Sequence, residues 1–338
     1  EIYMKKNITL LIVTLVLIGA CGKNEKSTDT ANTKTQVLKL SHNHATGYPV
    51  DLAYQKFAEL VKSNSAGRYE IEIYPSAQLG ESKASVELAQ SGVLQFGHIN
   101  SAALEGFDNI YSILNLPYVF KDYEHYKRVM DSTEVRDIFE ASSNQGFITL
   151  IYLEGGARSF YTKSKAITTP ADLTGMKIRV QDSPTHIQMI QRLGGTPVTL
   201  NFSEVYTGLQ QGVIDGAENN TPSLVQTGHG EVAKYFSLNE HLRLSDFLVV
   251  GAPFWNKLSE EDKDMFRKSA NETIAYFSTV WNDAEMDALT QAKEKYNIKI
   301  TEVNTKPFRD LVLPLQDEIA AKDPKFKKLL DHIRSLEQ

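Results

Sequence analysis

The sequence predicts an α/β fold of two similar lobes that face each other across a cleft, braced by one long helix. Two observations predict it. The order strand, helix, glycine, strand, helix, glycine, strand, polar amides occurs twice along the chain. A later run from Ser259 to Asn297 contains neither glycine nor proline. At 338 residues the chain is long enough for two modest domains.

The first set begins with the strand VLKLS (37–41), the loop HNHATGYP and a helix that places Leu52, Phe57, Leu60 and Val61 on one side before Gly67. YEIEIYP alternates strictly and reads as a strand. ESKASVELAQS is a helix stopped at Gly92, and VLQFGHI is a strand running into Asn100-Ser101. The second set begins with MKIRV (176–180). Ile178 and Val180 face a core, so Arg179 between them points the other way. Ser183 then caps a helix with Pro184 at its first position and Ile187, Ile190 and Leu193 along one face, and Gly194-Gly195 ends it. PVTL is a strand, Ser203 caps EVYTGLQQ, Gly212 ends that helix, and VIDGA runs into Glu218-Asn219-Asn220. FLVVGAPFW is a strand-like return. Ser259 with Glu260, Glu261 and Asp262 starts the long helix, which either braces both lobes or kinks near Asn271. IKITEVN is a late strand, and FRDLVLPLQDEIAAK is a helix bent at its proline.

The amino-terminal segment is not part of this fold. Met4, which follows Glu1-Ile2-Tyr3, opens a positively charged stretch with Lys5 and Lys6. The apolar run ITLLIVTLVLIGA ends at Ala20, with the proportions of a signal peptide rather than a membrane span. IGAC resembles a bacterial lipobox, which makes residues 1–20 a lipoprotein signal peptide and Cys21, the only cysteine, the lipidated residue. Residues 21–36 then read as the lipidated cysteine and a flexible tether. The net charge of −6 and the lack of a basic block argue against nucleic acid. Any anion must therefore be held by local positive charge.

In open parallel sheets ligands bind beyond the carboxyl ends of the strands. His42, Asn43, Asn100, Arg179, Glu218 and Asn219 fall at such ends and line one cleft if the lobes face each other. Arg179 leads into a helix N-terminus, which favours negative charge, and its guanidinium fork matches a carboxylate. It is therefore expected to hold a ligand carboxylate. Arg158 follows Gly155-Gly156 and reads equally as a linker arginine and as a ligand contact. In DGAENNTPS the Asn219 amide suits ligand oxygens, while Glu218 equally suits tying down the loop. Phe202 suits an apolar floor under a sugar-like ring. His42 and His44 are the only histidines with metal-ligand spacing, and no His-rich loop or HExxH supports them, so no metal is expected. No nucleophile elbow, Walker loop or dinucleotide fingerprint is present, so neither catalysis nor a cofactor is expected.

The lipobox, YPSAQLGE, LPYVFKD, PADLTGMKIRV, FSEVYTGLQQGVIDGAEN and the long late helix together resemble the extracytoplasmic solute-binding subunits of TRAP transporters, the DctP family, from about Val37 to the C-terminal helix. The resemblance implies a two-lobe periplasmic-binding-protein-like clamshell that closes on an organic acid and passes it to a sodium-coupled membrane permease. It implies lobes of 37–156 with about 246–284, and 157–245 with about 285–338. It places the carboxylate salt bridge on Arg179, joined by Arg158 and Asn219, with Phe202 as the aromatic wall. GARSFYT, DGAENN and HGEVAKYFSLNEH are similar to the branch that takes glucuronate and galacturonate. Asn220 stands where many dicarboxylate binders have proline, and Asn100 where sialate binders have a carboxylate. Asn43, Glu81, Asn100, Ser101, Glu218 and Asn219 supply more hydroxyl partners than a small diacid needs. A dicarboxylate or sialate ligand, an extracytoplasmic enzyme acting on acidic sugars, and a receptor-linked sensor are the competing readings.

Overall fold

The computed structural model describes residues 35–337. The signal peptide, Cys21 and nearly all of the tether lie outside them. No helix among the described residues is long and apolar enough to cross a membrane.

Nine strands form the sheet: β1 (Gln36–Ser41), β2 (Tyr69–Tyr74), β3 (Phe96–Asn100), β4 (Phe147–Thr162), β5 (Lys177–Val180), β6 (Thr196–Thr199), β7 (Gly216–Asn219), β8 (Tyr235–Gly251) and β9 (Lys299–Glu302). Their order is β2-β1-β3-β8-β4-β7-β5-β6, with β9 on β8. The two sets read from the sequence are the two ends of this order. Each is a parallel group whose crossovers are helical, β1–β3 in one and β5–β7 in the other.

What joins them was not legible in the sequence. The segment around Gly155-Gly156 reads as a linker before a short strand, yet Phe147–Thr162 is one strand of 16 residues. It runs antiparallel to β8, which has 17 residues and is far longer than the return expected at 247–255. One end of this ribbon pairs with β3 and the other with β7 and β9. Its register shifts between Glu154 and Ala157 and again between Arg158 and Phe160. Such bulges bend a strand and add twist, so the ribbon turns from one half-sheet to the other there. Gly156 has φ +70°, a conformation side chains disfavour, and a Cβ on it would lie 3.0 Å from Trp281.

Trp281 belongs to the long helix, Glu260–Glu294, which shows no break at Asn271. At about 1.5 Å per residue it extends roughly 50 Å. It packs on helix Pro49–Asn64 beside the first half-sheet and on helix Thr221–Gln226 beside the second. The bracing role expected of it is what the structure shows. The C-terminal helix breaks at its proline, into Lys306–Val312 and Pro314–Ala320, and a further helix, Pro324–Ser335, follows. These helices reach the first half as well: Gln316 Nε2 donates to the Pro117 carbonyl (2.9 Å).

Candidate functional site

The carboxyl ends of both parallel groups meet at a cavity of about 290 Å³, at the small end of ligand sites and suited to one small molecule. Asn43, Glu81, Asn100, Arg179 and Phe202, all singled out from the sequence, line it. The two halves touch around it. Ser203 donates to Glu81, Asn43 Nδ2 donates to the same carboxylate (3.1 Å), and the Tyr48 hydroxyl bonds Ser223 Oγ (3.0 Å). Larger cavities of about 380 and 510 Å³ occur elsewhere, and neither contains a site arginine.

Arg179 is 3% exposed. Strand alternation sends Ile178 and Val180 into the core and Arg179 to the cavity side, as the sequence implies. Its Nε and Nη2 both donate to the Leu200 carbonyl, at 3.0 and 2.7 Å. That chelation fixes the guanidinium plane and leaves the Nη1 side of the fork without a protein acceptor among the described residues. No carboxylate there lies within ion-pair distance. Burial, and secondarily the like charge of Arg158, bring its pKa down to about 10, against the opposing pull of Tyr161, Glu218 and Glu81. It remains a cation at neutral pH, buried and with no ion pair to any described residue.

Arg158 is equally buried but fully engaged. Its Nε and Nη2 form a fork to Glu218 (2.7 and 2.9 Å), Nη2 also meets the Glu218 carbonyl (2.7 Å), and Nη1 donates to Asn219 Oδ1. Pairing of β4 with β7, Ser159 opposite Asn219 and Phe160 opposite Glu218, brings these groups together. Burial alone would raise the Glu218 carboxyl, but the Arg158 charge holds it well below the usual carboxylate range. Asn219 spends its oxygen on Arg158 and on the Asn220 amide (2.9 Å), which leaves its Nδ2 unpaired among the described residues.

Five expected residues do not line the cavity: Arg158 and Asn219, engaged with each other as described, and Glu218, His42 and Ser101. Glu218 is fully buried on Arg158. His42 is fully buried with Nε2 3.1 Å from Asp51 Oδ1. The Ser101 hydroxyl donates to Asn115 Oδ1 at 2.5 Å. The helix N-terminus after Arg179 also departs from expectation. Ser183 does cap it, accepting from the His186 amide (3.1 Å), but Glu105 occupies the anion-favouring end, bonded to the Ser183 hydroxyl (2.9 Å) and the Thr185 hydroxyl (3.1 Å). A protein carboxylate thus holds the place expected for ligand charge.

Sequence reasoning missed the histidines around the arginines. His186 is buried with both ring nitrogens unpaired, and burial first, with Arg158 and Arg179 contributing, brings its pKa down to about 3. His229 bonds the Tyr161 hydroxyl through Nδ1 (2.9 Å) and is also lowered to about 3, by burial and by Arg179. Both are neutral, so the local positive charge is that of the arginines. His186 carries no sequence signal beyond its place three residues after the helix cap.

This geometry, an inter-lobe cavity lined by a buried guanidinium that has no ion pair among the described residues, agrees with the comparison to known families. Residues 40–323 match the DctP model, bacterial extracellular solute-binding protein, family 7. The chain belongs to that family. A TRAP periplasmic solute-binding protein from Anaerococcus prevotii, solved with bound α/β-D-glucuronate, is 37% identical with a TM-score of 0.87, covering 90% of this chain and 98% of its own. One from a Bradyrhizobium species, in complex with α/β-D-galacturonate, is 32% identical with a TM-score of 0.86, covering 89% and 100%. A solute-binding protein from Chromohalobacter salexigens is 34% identical, over 86% of this chain and 87% of its own. As a DctP-family member the chain is an extracytoplasmic solute-binding protein.

Glu218→Gln keeps the shape of the buried pair and leaves Arg158 without its counter-charge. The expected loss is about 3–5 kcal/mol at pH 7, measured by denaturant unfolding. The native carboxyl titrates below its unfolded value, so this stabilisation is complete above about pH 4.3 and declines as pH falls further. The gap between wild type and variant should close in acid. Equal stability at pH 7 would show that the pair contributes nothing.

Proposed function

We propose that this chain captures a hexuronate, D-glucuronate or D-galacturonate, between its lobes and delivers it to a sodium-coupled TRAP membrane permease. The observation that carries this reading is Arg179: a buried, immobilised guanidinium with free donors on the cavity and no protein carboxylate beside it. A ligand carboxylate supplies the missing charge. The Nδ2 of Asn219 donates alongside it, Arg158 adds field while Glu218 holds it in place, and Phe202 lies under the ring. Asn43, Glu81 and Asn100 serve the hydroxyls. His42 and Ser101 support these residues from behind the wall. The relatives solved with glucuronate and galacturonate favour this class over dicarboxylates and sialate. Membership of a solute-binding family supports release of the ligand unchanged.

In this reading the lobes are 37–156 with about 246–284, and 157–245 with about 285–338, and the β4–β8 ribbon between them is the hinge. The register shift at Glu154/Ala157 supports that boundary. Ligand bridging both lobes stabilises the closed arrangement. Cys21, lipidated after removal of residues 1–20, anchors the protein to the outer face of the membrane. Mass spectrometry of detergent-extracted protein should find Cys21 as an acylated N-terminal residue, and an unmodified Cys21 would remove the anchor.

Arg179→Lys keeps the charge but loses the planar fork and its hold on Leu200. Calorimetry should find one uronate per wild-type chain, and affinity lower by at least about tenfold in the variant, the loss of one charge-assisted hydrogen bond. Near-normal affinity in Arg179→Lys would remove the carboxylate clamp.

A further inference from the structure

Beside the cavity residues Phe202 and Asn100, though not themselves lining the cavity, His44, His98 and Asp246 converge. One ligand-type atom from each lies within 4.8 Å of the others. β3 pairs antiparallel with β8 so that Asp246 sits opposite the cavity residue Asn100. His98 is held from behind, Nδ1 to the Tyr54 hydroxyl (2.8 Å). His44 is stacked on Tyr48, with ring centroids 4.4 Å apart, and edge-on to Phe202 at 5.5 Å. The positions are fixed, but the polar atoms are not satisfied. Asp246 lies 3.6 Å from His98 Nε2 and 4.0 Å from His44 Nε2, both beyond hydrogen-bonding distance. It has no hydrogen bond from any described residue, although its side chain is only 17% exposed. His44 Nδ1 is also buried without a partner.

A nearly buried carboxylate without donors is costly, and its donors must come from something that enters the site. Two kinds of entrant come near the spacing. Two hydrogen bonds of about 2.8 Å meeting at a tetrahedral hydroxyl oxygen span about 4.6 Å. A zinc ion with bonds of about 2.1 Å would draw its ligands to about 3.4 Å apart. The 4.0 Å between His44 and Asp246 lies midway between the two spans, and a small outward shift of either side chain admits a bridging hydroxyl, which donates to the carboxylate and pairs with the imidazole. The Arg158 charge, near enough to bear on Asp246, disfavours a cation.

We infer that His44 and Asp246 form a second pole of the cleft that recognises a hydroxyl of the bound acid and rejects a second carboxylate. This rests on the Arg179 reading above and adds the basis of selectivity. A C4-dicarboxylate held at Arg179 would turn its other charge toward the Asp246 carboxyl, which no described residue donates to, whereas an acidic sugar presents hydroxyls. Burial brings the Asp246 carboxyl up to about 7, against the pull of Arg158, as expected of a group lacking protein donors. His44 and His98 face it as neutral rings, both lowered chiefly by burial.

The test is calorimetry with D-glucuronate, D-galacturonate and succinate on wild type, Asp246→Asn and His44→Gln, with unliganded melting temperatures recorded for each. Asp246→Asn should fold, lose about 10- to 100-fold in uronate affinity, and bind succinate at least as well as wild type does. His44→Gln should lose uronate affinity in the same direction, and it carries the test if the first variant does not fold. Unchanged uronate affinity in both variants overturns this inference and leaves the Arg179 reading intact. A wild type that prefers succinate, or binds neither uronate, overturns both. Uronate binding that EDTA abolishes and zinc restores would reassign the three groups to a metal and overturn the hydroxyl pole alone.

Discussion

Two buried guanidiniums lie close together beside the cavity, and among the described residues only one of them, Arg158, is in ion-pair contact with a protein carboxylate. Glu218 neutralises Arg158 through a fork and a backbone carbonyl. Among the described residues Arg179 donates only to the Leu200 carbonyl. This imbalance is the constraint on which the site depends. A carbonyl orients a cation but does not compensate its charge, so among the described residues Arg179 has no ion-pair partner, although Glu81 on the cavity wall pulls on it from farther away. The Arg158–Glu218 pair lets the imbalance persist, because it ties β4 to β7 beside β5. Without it two uncompensated cations would share one buried volume, which proteins rarely tolerate.

The fold makes that arrangement possible by bringing strand ends from two distant stretches to one place. β4 and β8 run through both half-sheets, so motion of one half against the other must bend this ribbon. It departs from a regular ladder at three places, Thr149/Ile151, Glu154/Ala157 and Arg158/Phe160, the last two beside the site. Arg158 lies between those two, so its pairing is coupled to the geometry of the turn. The long helix crosses the same region and meets Gly156 through Trp281, which limits how the ribbon can bend.

Much of this was legible in the sequence, for physical reasons. The alternation in MKIRV required Arg179 to leave the core, and it does. The repeated order of elements located both parallel groups and put Asn43, Asn100, Arg179 and Asn219 at strand ends. Pairing was not legible. Glu218 reads as ligand contact or loop anchor until β4 is seen beside β7, when it becomes the partner of Arg158. The glycine pair hid a strand of 16 residues, because glycine signals a break locally and a bulge only when a partner strand is present. Glu105 at the helix N-terminus and Asp246 beside the histidines are separated in sequence from what they touch, so periodicity could not reveal either.

The most direct test of the account is a crystal structure of the chain from residue 35 onward with D-glucuronate. The account predicts the sugar's carboxylate at the free side of the Arg179 guanidinium, within hydrogen-bonding distance of Asn219 Nδ2, and the ring against Phe202 in the cavity bounded by Asn43 and Asn100. A glucuronate bound in reverse, with its carboxylate turned away from Arg179, or seated outside this cavity, would contradict it.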